Sequence, residues 1–317
     1  MAKKPHGIGL LSGGLDSALA AKVVQDAGAD VTCLHFFTGF CVTGHNSRVG
    51  RRDRPIANHA LQVAAEADIP VELVDISDDY LPMVMKPRHG YGANMNPCVD
   101  CRVFMLDRAR KYMEEVGADF VFTGEVVGQR PMSQMRHTIE MTEREAGLEG
   151  KLLRPLCARL LKPTLIEEEG RIDRSKLYGF HGRSRKPQIE LAEKYGINEF
   201  MQPAGGCCFL TDEAYSRKLR DLIESMGGEP LSMDDVYLLG VGRHFRLEDG
   251  GKVIVGRDET ENNFLEYYTR SNWSARAADF PGPTAIVTGS ANDQALVRAG
   301  ELVARYCDGK HESSVSD

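Results

Sequence analysis

Gly9-Leu10-Leu11-Ser12-Gly13-Gly14-Leu15-Asp16-Ser17 is the stretch from which the rest of the chain is read. Ile8, Leu10 and Leu11 suit a buried strand, the Ser-Gly-Gly turn lets backbone pass close to a ligand, and Ala18 to Gln25 has helix-forming composition. A strand, a tight turn and a helix N-terminus make an anion site, where backbone N–H groups and the positive end of the helix dipole hold phosphate oxygens. Ser12 and Ser17 add hydroxyl donors. Asp16 is the informative residue, because a carboxylate beside bound phosphates repels them unless a divalent cation lies between, which implies Mg2+. A Walker A loop is excluded, since its Gly-Lys-Ser/Thr ending is absent.

Ser-Gly-Gly-Leu-Asp-Ser resembles the PP-loop of ATP pyrophosphatases, which cleave ATP between the α- and β-phosphates and transfer AMP to an oxygen. The resemblance implies ATP held by Ser12, Gly13, Gly14, Leu15, Asp16 and Ser17, with Asp16 also catalytic. An ordinary Gly-rich turn is the bland alternative, and six matching residues at the end of the first strand weigh against it.

The 317 residues allow two or three domains, and 42% hydrophobic content suffices for real cores. No apolar run approaches the roughly 20 residues that span a bilayer, and the apolar stretch behind the basic start is the loop's own strand. The expectation is a cytoplasmic protein. Eight cysteines are too sparse for a disulfide scaffold, so the clustered ones are candidates for metal or sulfur chemistry. A net charge of -7 argues against nucleic-acid binding by overall charge.

Val31 to Phe37, Val71 to Ile76 and Phe120 to Thr123 read as further strands with helices between them, predicting an α/β fold with a doubly wound parallel sheet. Ligands of such sheets bind at the carboxyl ends of strands. Ser12 to Ser17, the segment around His35 to Gly39 with Phe36, and Thr123-Gly124-Glu125 then face one nucleotide. Two basic runs, Arg48, Arg51, Arg52 and Arg54, and Arg171 to Lys186, are candidate phosphate-backbone contacts or solvated charged loops.

Gly124-Glu125-Val126-Val127-Gly128-Gln129 and Ser133-Gln134 resemble the corresponding stretch of tRNA 4-thiouridine synthases, with Leu153-Arg154-Pro155-Leu156 fitting as well. That resemblance places Gly124, Gln129 and Ser133 at the ATP site. Beyond Leu231, Gly242-Arg243-His244-Phe245-Arg246-Leu247, Ile254 to Asp258, Glu261-Asn262 and Pro281-Gly282-Pro283 resemble the NFACT RNA-binding domain. Asp235 to Leu247 and Lys252 to Arg257 suggest a strand pair, and Asn292 to Tyr306 an amphipathic helix. Residues 231–317 hold 9 Lys or Arg against 14 Asp or Glu, so RNA contact would come from Arg243, His244, Arg246 and Arg257 rather than an electrostatic clamp. A structural role, or one in forming a homodimer, is the alternative. The domains are expected at 1–200, 201–230 for a cysteine-bearing loop and connecting helix, 231–310, and a polar tail at 311–317.

Asn96-Pro97-Cys98-Val99-Asp100-Cys101 places two thiols three apart at a helix start, where the dipole favours thiolate. Gly205-Gly206-Cys207-Cys208-Phe209 delivers adjacent cysteines from about a hundred residues downstream. Alone, a Cys-x-x-Cys pair is ambiguous between redox, zinc, iron-sulfur and structural roles. Asn-Pro-Cys-x-x-Cys with a distal Cys-Phe resembles the tRNA 2-thiouridine synthases, which implies Cys98, Cys101 and Cys208 as catalytic. Two thiols and a distal one also match the pattern of thiolases that hold a 4Fe-4S cluster by three cysteines. With Cys98, Cys101 and one of Cys207 and Cys208 as ligands, the Cys-Phe register favouring Cys208, a cluster ranks first and persulfide-disulfide chemistry second; zinc, for which both Cys207 and Cys208 would complete a tetrad, ranks third. Cys33, Cys157 and Cys307 read as buried small hydrophobes; Cys41 follows the second strand and is left open.

The reading is an ATP-dependent tRNA sulfurtransferase that adenylates a uridine carbonyl oxygen and replaces it with sulfur, fed by a sulfide or persulfide donor. The alternatives are a PP-loop enzyme acting on a small molecule and a noncatalytic RNA-associated adaptor.

Overall fold

A computed structural model describes residues 3–41, 59–197, 208–248, 250–289 and 291–308, and these divide between Thr211 and Asp212 into two compact units. In the first unit, β1 (His6–Leu10), β2 (Asp30–Phe37), β3 (Val71–Asp75), β4 (Phe120–Phe122) and β5 (Leu152–Leu153) pair in the order β3-β2-β1-β4-β5, every pair parallel. The expected doubly wound sheet is present. The order runs outward in opposite directions from β1 and β4, so the switch point where such sheets bind ligands lies between their carboxyl ends. β5 has no counterpart in the strand reading, because two residues give no alternation to detect.

Its described helices are α1 (Leu15–Asp26), α2 (His59–Glu66), α3 (Ser77–Met85), α4 (Cys98–Val116), α5 (Arg136–Glu145), α6 (Leu165–Glu168) and α7 (Lys186–Tyr195). Small side chains let α1 sink into the core: Leu15, Ala18 to Ala21, Val23 and Val24 are all buried. The glycines of β1 serve the same end. A Cβ on Gly9 would sit 2.7 Å from Cys33 Sγ and inside the Phe122 ring, and one on Gly7 would strike Phe120. Aromatic rings of β4 thus occupy the space that β1 leaves empty.

The second unit contains α8 (Glu213–Met226), α9 (Met233–Leu239), β6 (Arg243–Arg246), β7 (Lys252–Val255), α10 (Glu259–Glu266), β8 (Trp273–Ala275), β9 (Ala285–Thr288) and α11 (Asp293–Tyr306). Its strands form an antiparallel sheet, β6-β7-β9-β8. Val253, Val255, Ala285 and Val287 pack against Ala295, Ala299, Leu302 and Val303 of α11. The strand expected over 235–247 is shorter, because Ser232 caps a helix: it accepts from the Asp235 N–H while Asp235 accepts from the Ser232 backbone. α8 is bonded into this unit through Asp221, which accepts from Arg246 at 2.7 Å and Lys252 at 2.8 Å.

Local structure rearranges the RNA-contact candidates. Arg246 is held by Asp221, Arg257 by Glu261, and Arg243 lies over the Tyr306 ring at 4.6 Å. His244 is part-buried, donating Nε2–H to the Val241 carbonyl at 2.8 Å. Burial, with Lys218 and Lys252 nearby, pushes its pKa down to about 3. It is a neutral structural group at neutral pH, not a cationic contact.

Two outcomes follow from this packing. Gly9→Ala should cost about 1–3 kcal/mol in urea unfolding through overpacking, with Phe122→Leu in the same chain restoring part of it. Because the unfolded imidazole accepts a proton that the folded one refuses, the stability His244 contributes is complete above its unfolded value of 6.5 and declines as pH falls toward 3. Stability measured between pH 7 and 4 should fall more steeply, by up to about one proton, in the natural chain than in His244→Gln; equal slopes would refute the assignment.

Candidate active site

β1 ends at Leu10 and α1 begins at Leu15, so the loop Leu11 to Gly14 spans the switch point. Gly13 takes a φ of 78°, a left-handed conformation that suits glycine. Ser17 Oγ donates to the Gly14 carbonyl at 2.7 Å and accepts from the Ser12 N–H at 3.3 Å, fixing the loop's curvature. His35 of β2 donates Nδ1–H to the Leu11 carbonyl at 2.8 Å and holds the strand exit. Leu15 points into the core with no exposed surface, so of the expected phosphate contacts it can offer only its backbone N–H. Phe36 is likewise a buried residue of β2.

The segment after β4 meets this loop closely. A Cβ on Gly124 would lie 2.6 Å from the Ser17 backbone nitrogen and closer still to the Asp16 carbonyl. Only glycine permits that approach. Beyond it, Gln129 Nε2 donates to Asp16 Oδ2 at 2.7 Å, and Gln188 of α7 steadies Gln129 at 3.4 Å. The 128–134 turn closes on itself through Gly128 N–H to the Gln134 carbonyl, with Ser133 buried inside it, and Gly182 N–H to the Val127 carbonyl braces it from outside.

Burial raises the pKa of Asp16, opposed by the Gln129 hydrogen bond and the charges of Arg185 and Arg130. Its Oδ1 is buried without a hydrogen-bond partner, the nearest cation being Arg185 Nη2 at 3.9 Å. A carboxylate oxygen left in that condition beside a phosphate-shaped loop fits one ligand of Mg2+, which takes one or two carboxylates and completes its shell with water and phosphate oxygens.

The basic run Arg171 to Lys186 turns out to be largely structural. Arg171 pairs with Asp119, Arg174 with Glu167, and Lys176 with the Asp26 carbonyl, while Arg185 faces Asp16. Arg183 and Lys186 keep exposed side chains. The arginines of the other run, 48 to 54, lie outside the described residues.

Cys98 and Cys101 occupy the first turn of α4, as expected. Asp100 between them accepts from the Arg88 and His89 N–H groups at 3.0 and 2.9 Å and anchors the preceding loop. The distal cysteine arrives by two backbone clamps. Met95 N–H donates to the Leu210 carbonyl, and Asn94 Nδ2 to the Thr211 carbonyl at 2.8 Å, while on the other side Phe209 N–H donates to the Phe40 carbonyl at 3.0 Å. Segment 208–211 is thereby held between the exit of β2 and the entrance of α4. Cys208 faces Cys41 as a paired antiparallel bridge. Tyr80 of α3, 2% exposed, stands among these thiols: its hydroxyl is hydrogen-bonded to Cys101, and Cys208 and Cys41 are near enough to act on it electrostatically. Burial first, then those thiols, lift its pKa well above the ordinary phenol value.

Cys41, left open by the sequence, therefore belongs to the thiol group. The seven described cysteines are thiols, and Cys207 lies outside the described residues. Burial pushes Cys33 up to about 12 and Cys157 up to about 11, consistent with core roles. Among the described residues, no three His, Cys, Asp or Glu side chains are arranged to hold a metal ion, so the ligand set expected for a cluster or zinc is not assembled there.

Glu125, expected with Thr123 and Gly124 to face the nucleotide, is instead a buried ion-pairing residue, a role that sequence reading missed. It accepts hydrogen bonds from Arg154 Nε at 3.2 Å and Thr123 Oγ1 at 3.1 Å, while its other oxygen, Oε1, forms an ion pair with Arg102 Nε at 3.0 Å without a hydrogen bond. Burial alone would raise its pKa, but Arg102 and Arg154 outweigh that and hold it below the ordinary carboxylate value. Arg102 adjoins Cys101, and Gly124 touches Asp16, so Glu125 joins the thiol helix to the phosphate loop. The signal was available in Gly124-Glu125 and Arg154, but pairing across 29 residues is invisible without the fold.

The β3-β2-β1-β4-β5 parallel sheet carries Ser-Gly-Gly-Leu-Asp-Ser at its switch point, the place and pattern that PP-loop domains have. In particular, residues 7–145 match the tRNA methyl transferase HUP domain family, and residues 242–316 match the NFACT protein RNA binding domain family. The tRNA-specific 2-thiouridylase MnmA of Desulfosudis oleivorans is 32% identical over 119 residues, 36% of this chain and 30% of that protein. The enzyme of the same name from Salinibacter ruber is 22% identical over 295 residues, 84% of this chain and 73% of that one. Thus the chain spans about a third of the length of the first of these relatives and about three quarters of the second. Among solved structures, a tRNA methyltransferase subunit from Methanocaldococcus jannaschii overlaps 52% of this chain and 76% of its own, at 15% identity and a TM-score of 0.34. Among the described residues, no helix is long and apolar enough to cross a membrane.

Gly124→Ala should abolish ATP binding measured by calorimetry while far-ultraviolet circular dichroism stays that of a folded α/β protein; unchanged affinity would show that the close approach is dispensable.

Proposed function

We propose that this chain is an ATP-dependent tRNA sulfurtransferase that makes thiouridine. The observation that carries the reading is the meeting of three thiols, from the exit of β2, the start of α4 and residue 208, at the end of the sheet that also carries the PP-loop. Supporting it are the relatives called tRNA-specific 2-thiouridylase and the match of residues 242–316 to an RNA-binding domain.

In this reading the loop amides from Ser12 to Ser17 bind the phosphates, and Ser133 and Gln129 close the nucleotide side. Asp16 would hold Mg2+, which would supply charge neutralisation at the phosphates. Gln129 and Arg185 hold the Asp16 carboxylate in place. The uridine carbonyl oxygen attacks the α-phosphate, pyrophosphate leaves, and the oxygen becomes part of a good leaving group, AMP. Loop N–H groups stabilise the charge that develops. A persulfide on Cys208 or Cys101, loaded by sulfane-sulfur exchange with a persulfide donor whose own thiol is the leaving group, then attacks the ring carbon and AMP departs. Thiol-borne sulfur is placed ahead of the cluster because Cys101 and Cys208 lie beside Tyr80 and Cys208 faces Cys41, an arrangement that suits exchange between thiols.

The deciding experiment measures pyrophosphate release with and without added tRNA, together with mass spectrometry of the tRNA nucleosides. Thiouridine and tRNA-dependent release are expected. Release driven by a small acceptor alone would identify a small-molecule PP-loop enzyme, and no release at all an adaptor. Asp16→Ala should lower pyrophosphate formation by at least about 100-fold, the scale of losing one preorganised electrostatic group, whereas Cys208→Ala should stop sulfur insertion and leave pyrophosphate release. Anaerobically purified protein should be colourless; a brown preparation with about four irons per chain would restore the cluster to first place.

A further inference from the structure

Cys41 and Cys208 face each other directly across the bridge between the exit of β2 and segment 208–211. Phe209 N–H donates to the Phe40 carbonyl at 3.0 Å, which is the bond pattern that flanks a non-hydrogen-bonded antiparallel pair. In that register the Cα atoms stand about 4.5 Å apart with the side chains on one face of the ribbon. Disulfides span Cα separations of about 4.4–6.8 Å, so this register can be bridged without moving the backbone. Thr38 Oγ1 lies 3.2 Å from Cys41 Sγ and fixes where that thiol points. Cys101 approaches from a different element, α4, and its thiol is engaged by the Tyr80 hydroxyl.

Building on the persulfide reading above, we propose that Cys41 is the resolving thiol for Cys208, closing a Cys41–Cys208 disulfide at each sulfur transfer. The outer sulfur of a Cys208 persulfide bonds to the activated ring carbon as AMP leaves, giving a mixed disulfide between the base and Cys208. Cys41, having given its proton to solvent, attacks Cys208 Sγ through its electron pair. The sulfur–sulfur bond to the base breaks, its electron pair stays on the base sulfur as the thiocarbonyl, and the Cys41–Cys208 bond forms. A dithiol reductant then returns two electrons and two protons and restores both thiols.

Two measurements on the full chain test the proposal separately from the activity. In the first, the resting protein is oxidised stepwise with diamide, the remaining thiols are alkylated, and peptides are mapped without reduction. The first disulfide should join the peptides of Cys41 and Cys208; a Cys208 that oxidises while Cys41 stays fully alkylatable would overturn the proposal whatever the enzyme's substrate. In the second, protein loaded with polysulfide is given ATP and tRNA transcript. A Cys41–Cys208 link should accumulate in step with thiouridine, and Cys41→Ser should cut multiple-turnover thiouridine formation at least tenfold. Thiouridine formed with a Cys101–Cys208 link instead would overturn the resolving role and leave the sulfurtransferase standing. Absence of thiouridine beside a normal diamide result would count against the sulfurtransferase and reduce Cys41–Cys208 to a redox-sensitive pair, overturning the catalytic role.

Discussion

A single buried carboxylate carries the architecture of the site. Glu125 is shared by Arg102 and Arg154; it and Arg154 are almost wholly out of solvent, while Arg102 is partly exposed, and the desolvation of the buried pair is repaid only if their geometry is maintained. Removing one partner of such a set leaves an uncompensated buried charge, so the network behaves as a rigid joint. Arg154 extends it to Glu143 at 2.6 Å and to the Ile139 carbonyl at 2.9 Å, drawing α5 into the same joint. What depends on it is relative position: α4 with its thiols on one side, and Gly124 against the PP-loop on the other.

The thiols show a different principle. Among the described residues, their convergence is made by backbone hydrogen bonds from short irregular segments. Peptide groups at 40, 95 and 209–210 pair because a segment passing between two loops must satisfy its N–H and C=O groups. Around Tyr80, Phe40 at 6.0 Å and Phe104 at 5.6 Å complete an aromatic wall. Such a wall limits water near the sulfur atoms and leaves the phenol neutral, able to donate a hydrogen bond.

In the second unit, charge is spent internally. Asp221, Arg246 and Lys252 bind α8 to the sheet, and Glu261 holds Arg257 beside the start of α10. The cations that a linear reading offers to RNA are therefore partly consumed by folding, which agrees with the excess of acidic residues in this part of the chain. Among its described residues, Trp273, Tyr267 and Val297 are large apolar side chains turned outward.

By itself the sequence determined the parallel α/β sheet, the position of the phosphate loop and the pair of cysteines at the start of α4. Each is local: an apolar run, a glycine turn and a helix start are written in adjacent residues, and their periods are readable at a distance of a few positions. The short β5, the cap at Ser232 that replaced a strand with a helix, and the internal pairing of the basic runs depended on competition between local signals and partners elsewhere. Only the tertiary structure could decide that Glu125 is the joint, that Asp16 is held by Gln129 and Arg185, and that Cys41 stands opposite Cys208. Those contacts join residues from 23 to 169 positions apart, and a chain's spacing carries no information about which distant groups will share a low-dielectric space once the sheet has closed.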